Sequence, residues 1–137
     1  VRTLGLDYGE RRVGVAVSDP TGRIATPLET VDRRARGGVL LRIAAIVDEY
    51  EIGQIVVGLP LQMDGSVGEQ AERARAFGSQ VGERTGIPVA FIDERLTSVE
   101  ATRVLAVAGA KPGRNRDRVD RVAASLLLSA FLDRRAR

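Results

Sequence analysis

The sequence contains no cysteine and no histidine. The first absence excludes disulfides, thiolate zinc sites and a cysteine nucleophile. The second removes the commonest general base, the Ser-His-Asp triad and every imidazole metal site. Aromatic residues are few, only Tyr8, Tyr50, Phe77, Phe91 and Phe131. Stacking platforms for single-stranded nucleic acid are correspondingly scarce. Lys111 is the single lysine among 21 basic residues. No apolar run approaches the roughly 20 residues that a membrane helix needs. The N-terminal stretch also lacks the charged, apolar and small-residue regions of a secretory signal. A cytoplasmic protein without a membrane partner is expected. Any chemistry must come from carboxylates, hydroxyls, arginines, backbone groups or bound metal.

What is present fits an ordinary soluble domain. The chain has 137 residues, 44% of them hydrophobic and 28% charged, enough to build one core, so a single domain over 1–137 is expected. The formal net charge is only +3, but it is unevenly spread, with eight basic and three acidic residues from Lys111 to Arg137. A second basic patch is DRRAR, Asp32 to Arg36. Arginine suits bidentate phosphate contacts. Its abundance is equally what a codon bias and a solvated tail would produce. As clusters, these patches point toward a polyanionic partner such as nucleic acid.

The hydropathy pattern changes period along the chain. Leu4 to Asp7 reads as a strand, and Arg12 to Ser18 as another, with Val13, Val15 and Val17 on one face and Gly14 and Ala16 on the other. The short link containing Gly9 suggests an antiparallel hairpin. Ile24 to Val31 is a third strand, its Pro27 implying an edge or a bulge. Gly38 to Glu51 has helical spacing and should stop at Gly53. Ile55 to Pro60 is a continuous apolar run, as in a strand covered on both faces. Val67 to Val81 marks a second helix, with Ser66 as its expected cap. Val89 to Asp93 is a further strand. Thr97-Ser98-Val99-Glu100 matches a capping box for a third helix to about Ala108. Gly109 to Arg118 reads as a basic loop, in which Arg114 and Arg116 are candidate substrate contacts. Val119 to Leu132 is the last helix. Early hairpins followed by alternating strands and helices predict an α/β architecture, a mixed five-stranded sheet flanked by helices, which fits the ribonuclease H-like fold.

Without histidine, metal-assisted phosphodiester hydrolysis is an attractive chemistry. Magnesium prefers oxygen ligands, and two ions about 3.5–4 Å apart can stabilise the attacking and leaving oxygens together. The requirement is acids distant in sequence and adjacent in space. Asp7, at the C-terminal end of the first strand, is the first candidate. Its alternative role is an Asx turn before Gly9. Glu94 is the second, although its neighbour Asp93 makes the choice ambiguous and Arg95 could pair with either. Asp120 is the third. As an acid in a first helical turn, it could equally serve the helix dipole. Asp117 is a weaker alternative. Gly9 would let backbone approach a phosphate closely. Arg12 and Arg95 could contact phosphate or be structural. Tyr8, beside Asp7, is the one aromatic expected near substrate.

DYGERRVGVAVSD, VVGLPLQMDGSVGEQA, DERLTSVEA and VDRVAASLLL occur in this order across nearly the whole chain. This combination resembles the YqgF (RuvX) family of the ribonuclease H-like superfamily, described both as Holliday junction resolvases and as pre-16S rRNA processing nucleases. The resemblance implies that Asp7, Glu94 and Asp120 are the metal-binding acids, and that the cofactor is magnesium or manganese. Arg121 stands where the family pattern suggests a small or acidic residue.

The function so implied is a metal-dependent nuclease, with processing of the 5′ end of pre-16S rRNA as the expected reaction. Two substrates remain open. A four-way DNA junction would suit a homodimer with two sites across the branch. Structured RNA would suit a monomer reading shape and 2′-hydroxyls. Two rivals lie outside this reading. A nucleotide-dependent phosphotransferase shares the Asp-x-Gly turn but needs a second lobe. A non-catalytic nucleic-acid-binding or ribosome-assembly module would not need separated acids, which repel phosphate unless metal intervenes.

Overall fold

A computed structural model describes residues 1–99, 103 and 114–136, the side chains of 114–116 excepted. Arg2–Tyr8 (β1) is the central strand of a five-stranded sheet ordered β3-β2-β1-β4-β5. Arg12–Ser18 (β2) pairs antiparallel with β1, and Ala25–Asp32 (β3) pairs antiparallel with β2. Ile52–Leu59 (β4) and Val89–Asp93 (β5) run parallel to β1 on its other side. The helices are Gly38–Glu49 (α1), Glu69–Thr85 (α2) and Arg114–Arg135 (α3). The expected mixed five-stranded sheet with flanking helices is what the chain forms. Among the described residues no helix is long and apolar enough to cross a membrane.

The period of two in the strands divides the molecule into two cores. Leu4, Leu6, Val13, Val15, Ile55 and Val57 face α1 and α2, where they meet Ile43, Ile46, Ala74, Phe77 and Val81. Ala16, Val56 and Ile92 face the other way and meet Ala123, Ala124, Leu127, Leu128 and Leu132 of α3. Burying each of these leucines is worth about 2–3 kcal/mol. The α3 side of the sheet is paved with small residues for a reason. A Cβ on Gly5 would lie 2.8 Å from Leu128 Cβ, and one on Gly14 would lie 1.9 Å from the Asp120 carbonyl oxygen. Glycine at both positions lets the backbone of α3 press directly onto the sheet.

Several boundaries differ from the sequence-based expectations. Helix α1 ends at Glu49 and the turn is made by Glu51, at φ 52°, so Gly53 lies inside β4. Ser66 does not cap α2. It bonds Asp64 and Gln62 within its own loop, and Gly68 takes the cap position. Helix α3 begins at Arg114, so the stretch expected as loop up to Arg118 is already helical in its last part. Pro27 accounts for an irregular ladder on an edge strand, with register shifting opposite Val15 and Ala16. The helix expected from Thr97 to Ala108 lies largely outside the described residues, as do the side chains of Arg114 and Arg116.

Candidate active site

Asp7 is the sixth residue of β1 and points toward α3 with 2% exposure. Its ladder partner on β2 is Gly14, the glycine on which the Asp120 backbone rests. That notch brings Asp120, from the far end of the sequence, beside Asp7. A second notch lies on the opposite flank. Gly58 follows Val57, the ladder partner of Leu6, and a Cβ there would lie 2.7 Å from Glu94 Oε1. Glu94 opens the short 3-10 turn Glu94–Leu96 that follows β5. The two glycines thus seat an acid on each side of Asp7, and Asp7, Glu94 and Asp120 line one cleft of about 260 Å³.

Each acid has a distinct setting. The Asp120 carboxylate accepts from Arg12 Nε at 2.8 Å. Burial pushes its carboxyl above the ordinary range, and the negative charge of Asp7 adds to this against the pull of Arg12. Because α3 starts at Arg114, Asp120 sits beyond the first turn, and the dipole explanation for an acid there does not apply. Asp7 Oδ2 accepts from Arg103 Nη2, whereas Oδ1 is buried with no hydrogen-bond partner among the described residues. Arg103 Nη1 also lies 3.6 Å from Glu94 Oε2.

The neighbouring acids Asp93 and Asp117 do not line the cleft. Asp93 receives Arg95 Nη2 at 2.7 Å and the Arg95 backbone N–H at 2.9 Å. Arg95 thereby holds the Asp93 carboxyl below its usual range, and the pair stays off the cleft. Asp117 is half-exposed and sits 3.4 Å from Arg12 Nε, also outside the cleft lining.

The other expected contacts divide. Tyr8 and Gly9 line the cleft. The Tyr8 ring is stacked on Phe77 at 4.4 Å between centroids, with the Arg33 guanidinium 4.7 Å over it. Arg12 and Arg95 are both held by carboxylates and do not line the cleft. The cleft's described cations are instead Arg33, Arg73 and Arg103. Sequence reasoning passed over these three as site residues, and only Arg33 had a signal, as part of the DRRAR patch.

The donor set suits a hard divalent cation. All three acids offer oxygen, and the unpartnered Asp7 Oδ1 is an atom whose burial is costly until something meets it. Among the described residues no three acids already stand close enough to grip one ion.

A mixed sheet with acids gathered beside its central strand defines the ribonuclease H-like class. The fold is shared with Thermus thermophilus RuvC, solved in complex with a Holliday junction substrate, at TM-score 0.61 and 15% identity over 99% of this chain and 96% of that one. Residues 1–134 match the family described as RuvX, Holliday junction resolvase. A relative from Roseiflexus sp. (strain RS-1), named "Putative pre-16S rRNA nuclease", is 45% identical over 96% of this chain and 94% of its own length. One of the same name from Anaeromyxobacter sp. (strain Fw109-5) is 46% identical over 98% of each. This chain belongs to the RuvX family.

Proposed function

We propose that the chain is a metal-dependent nuclease hydrolysing nucleic-acid phosphodiester bonds, with the 5′ end of pre-16S rRNA as its substrate. The observation that carries this is the Asp7 carboxylate, buried on the central strand with one oxygen unpartnered among the described residues and acids from the turn after β5 and from α3 beside it. A buried carboxylate oxygen left without a hydrogen bond is costly until something meets it. Asp7, Glu94 and Asp120 would hold magnesium or manganese, two ions in the fuller form of the proposal. Bound there, the metal would supply charge stabilisation for the reacting phosphate and activate water.

The protein's own groups do the rest. Arg12 fixes the Asp120 carboxylate, with Nε 2.8 Å from Oδ2. Arg33 and Arg73 line the same cleft and provide positive charge for flanking phosphates. Gly9 donates its N–H to the Arg12 carbonyl at 2.9 Å, which keeps the β1–β2 turn tight against the cleft. Tyr8 forms part of the wall, and a base would stack on it only by displacing Arg33. The relatives' shared name supports the ribosomal substrate, whereas the family description supports a second reading, resolution of four-way DNA junctions by a homodimer.

The test is one cleavage assay on a pre-16S fragment, a four-way junction and single-stranded DNA at one salt and metal concentration. Cutting should require magnesium or manganese. Asp7→Asn should lower it more than about 100-fold, the upper end of what even outer-shell ligand changes cost. Binding without cutting under any metal would replace the nuclease with a non-catalytic binding module.

A further inference from the structure

Besides Arg12 on Asp120, the acid cluster carries a second cation, shared by Asp7 and Glu94. Arg103 donates to Asp7 Oδ2 and places Nη1 3.6 Å from Glu94 Oε2, so one guanidinium spans two of the three candidate ligands. Burial works against its charge, but Asp7, Glu94 and Asp120 together more than offset that and hold Arg103 more firmly protonated than usual. The side chains differ in depth. Asp7 is 3% exposed and Glu94 11%, whereas Arg103 is 38% exposed. The arginine is therefore the shallowest of the three side chains.

We propose that Arg103 is a built-in counter-cation that competes with divalent metal for Asp7 and Glu94. This rests on the metal-nuclease reading of the same acids. A guanidinium and a divalent ion on the same two carboxylates repel one another strongly at partly buried sites. They are therefore alternative partners. With Arg103 in place, Asp7 is spared the cost of an unpaired buried charge, and its second oxygen remains unmet. With metal in place, Arg103 turns outward into the cleft it already lines with Arg33 and Arg73, where a substrate phosphate would meet it.

The experiment is calorimetric titration of Mn²⁺ into the full chain, wild type against Arg103→Met and Arg103→Lys, with thermal midpoints measured with and without the ion. Arg103→Met should bind Mn²⁺ about tenfold tighter, the effect of removing one close competing charge. Its midpoint without metal should fall, and its gain on adding Mn²⁺ should exceed that of the wild type. Arg103→Lys, which keeps the charge, should return the affinity toward the wild-type value. A merely structural arginine would lower the midpoint without this charge-dependent change in affinity. If Arg103→Met fails to fold, Arg103→Gln, which keeps a donor for Asp7, carries the same comparison. Equal or weaker binding by the neutral variant, beside a wild type that binds, overturns the counter-cation and leaves the metal site standing. No Mn²⁺ binding by any of the proteins overturns both.

Discussion

Replacing Gly14 by alanine adds one methyl group where α3 touches the sheet. The new Cβ would lie 1.9 Å from the Asp120 carbonyl oxygen, 2.4 Å from its carbon and 3.1 Å from the Arg121 nitrogen. All three are backbone atoms, so no side chain can rotate away. Restoring an ordinary 3.4 Å contact requires α3 and β2 to part by roughly 1.5 Å. Overpacking costs about 1–3 kcal/mol, and a backbone obstruction belongs at the upper end, about 3 kcal/mol. For a chain of this size that is a fall in Tm of roughly 10 °C. Asp120 moves with α3, and a displacement near 1 Å can cost about 100-fold in rate. Thermal denaturation followed by circular dichroism measures the first effect. Cleavage assayed at least 20 °C below the variant's midpoint measures the second, free of unfolding. Gly82→Ala is the control. Its Cβ meets only the Val89 Cγ2 methyl, at 3.3 Å, and the Ile87 carbonyl, and alanine gains up to about 1 kcal/mol of helix propensity. Gly14→Ala within about 0.5 kcal/mol of wild type would refute the claim that this notch seats the helix.

Gly58→Ala should behave differently, because its Cβ meets Glu94 Oε1, Glu94 Cγ and Leu127 Cδ2, all side-chain atoms; stability should change by less than about 1 kcal/mol while Mn²⁺ affinity and cleavage drop together. Leu128→Ala, at a fully buried position on the sheet-facing side of α3, should cost about 2–5 kcal/mol in urea denaturation. The Asp19 carboxylate accepts from the Ile24, Thr21 and Arg23 backbone and from the Thr21 hydroxyl, which holds it well below the usual carboxylate range. Its contribution is therefore complete above the unfolded value of about 3.9 and is lost as pH falls through the depressed native one. The stability gap between wild type and Asp19→Asn should stay level from pH 8 to 5 and close on further acidification; a gap that widens in acid would reverse the sign of this assignment.

The strands and their two faces were legible because bulky and small residues alternate in β1 and β2, and because β4 is apolar on both faces. The start of α3 was not. Its first turns, RNRDR, carry no apolar period, and they are fastened by contacts that no local pattern shows, from Thr30 to the Asp117 carbonyl and from Arg12 to Asp117 and Asp120. Gly53 misled because Glu51 adopts the left-handed turn that glycine usually takes. Asp7, Glu94 and Asp120 were singled out in the sequence, and all three meet in one cleft. Glu94 was preferred over Asp93 in the sequence, and the pairing of Asp93 with Arg95 outside the cleft agrees with that preference. Arg103 left no trace, since nothing in its neighbourhood announces a partner on the first strand.

Asp7, Glu94 and Asp120 come from the first strand, the turn after the fifth strand and the helix that ends the described chain. A chain clipped ahead of α3 would keep all five strands but lose Asp120 and the leucines that cover one face of the sheet. The site and one of the two cores are thereby completed together, by the same late segment of the sequence.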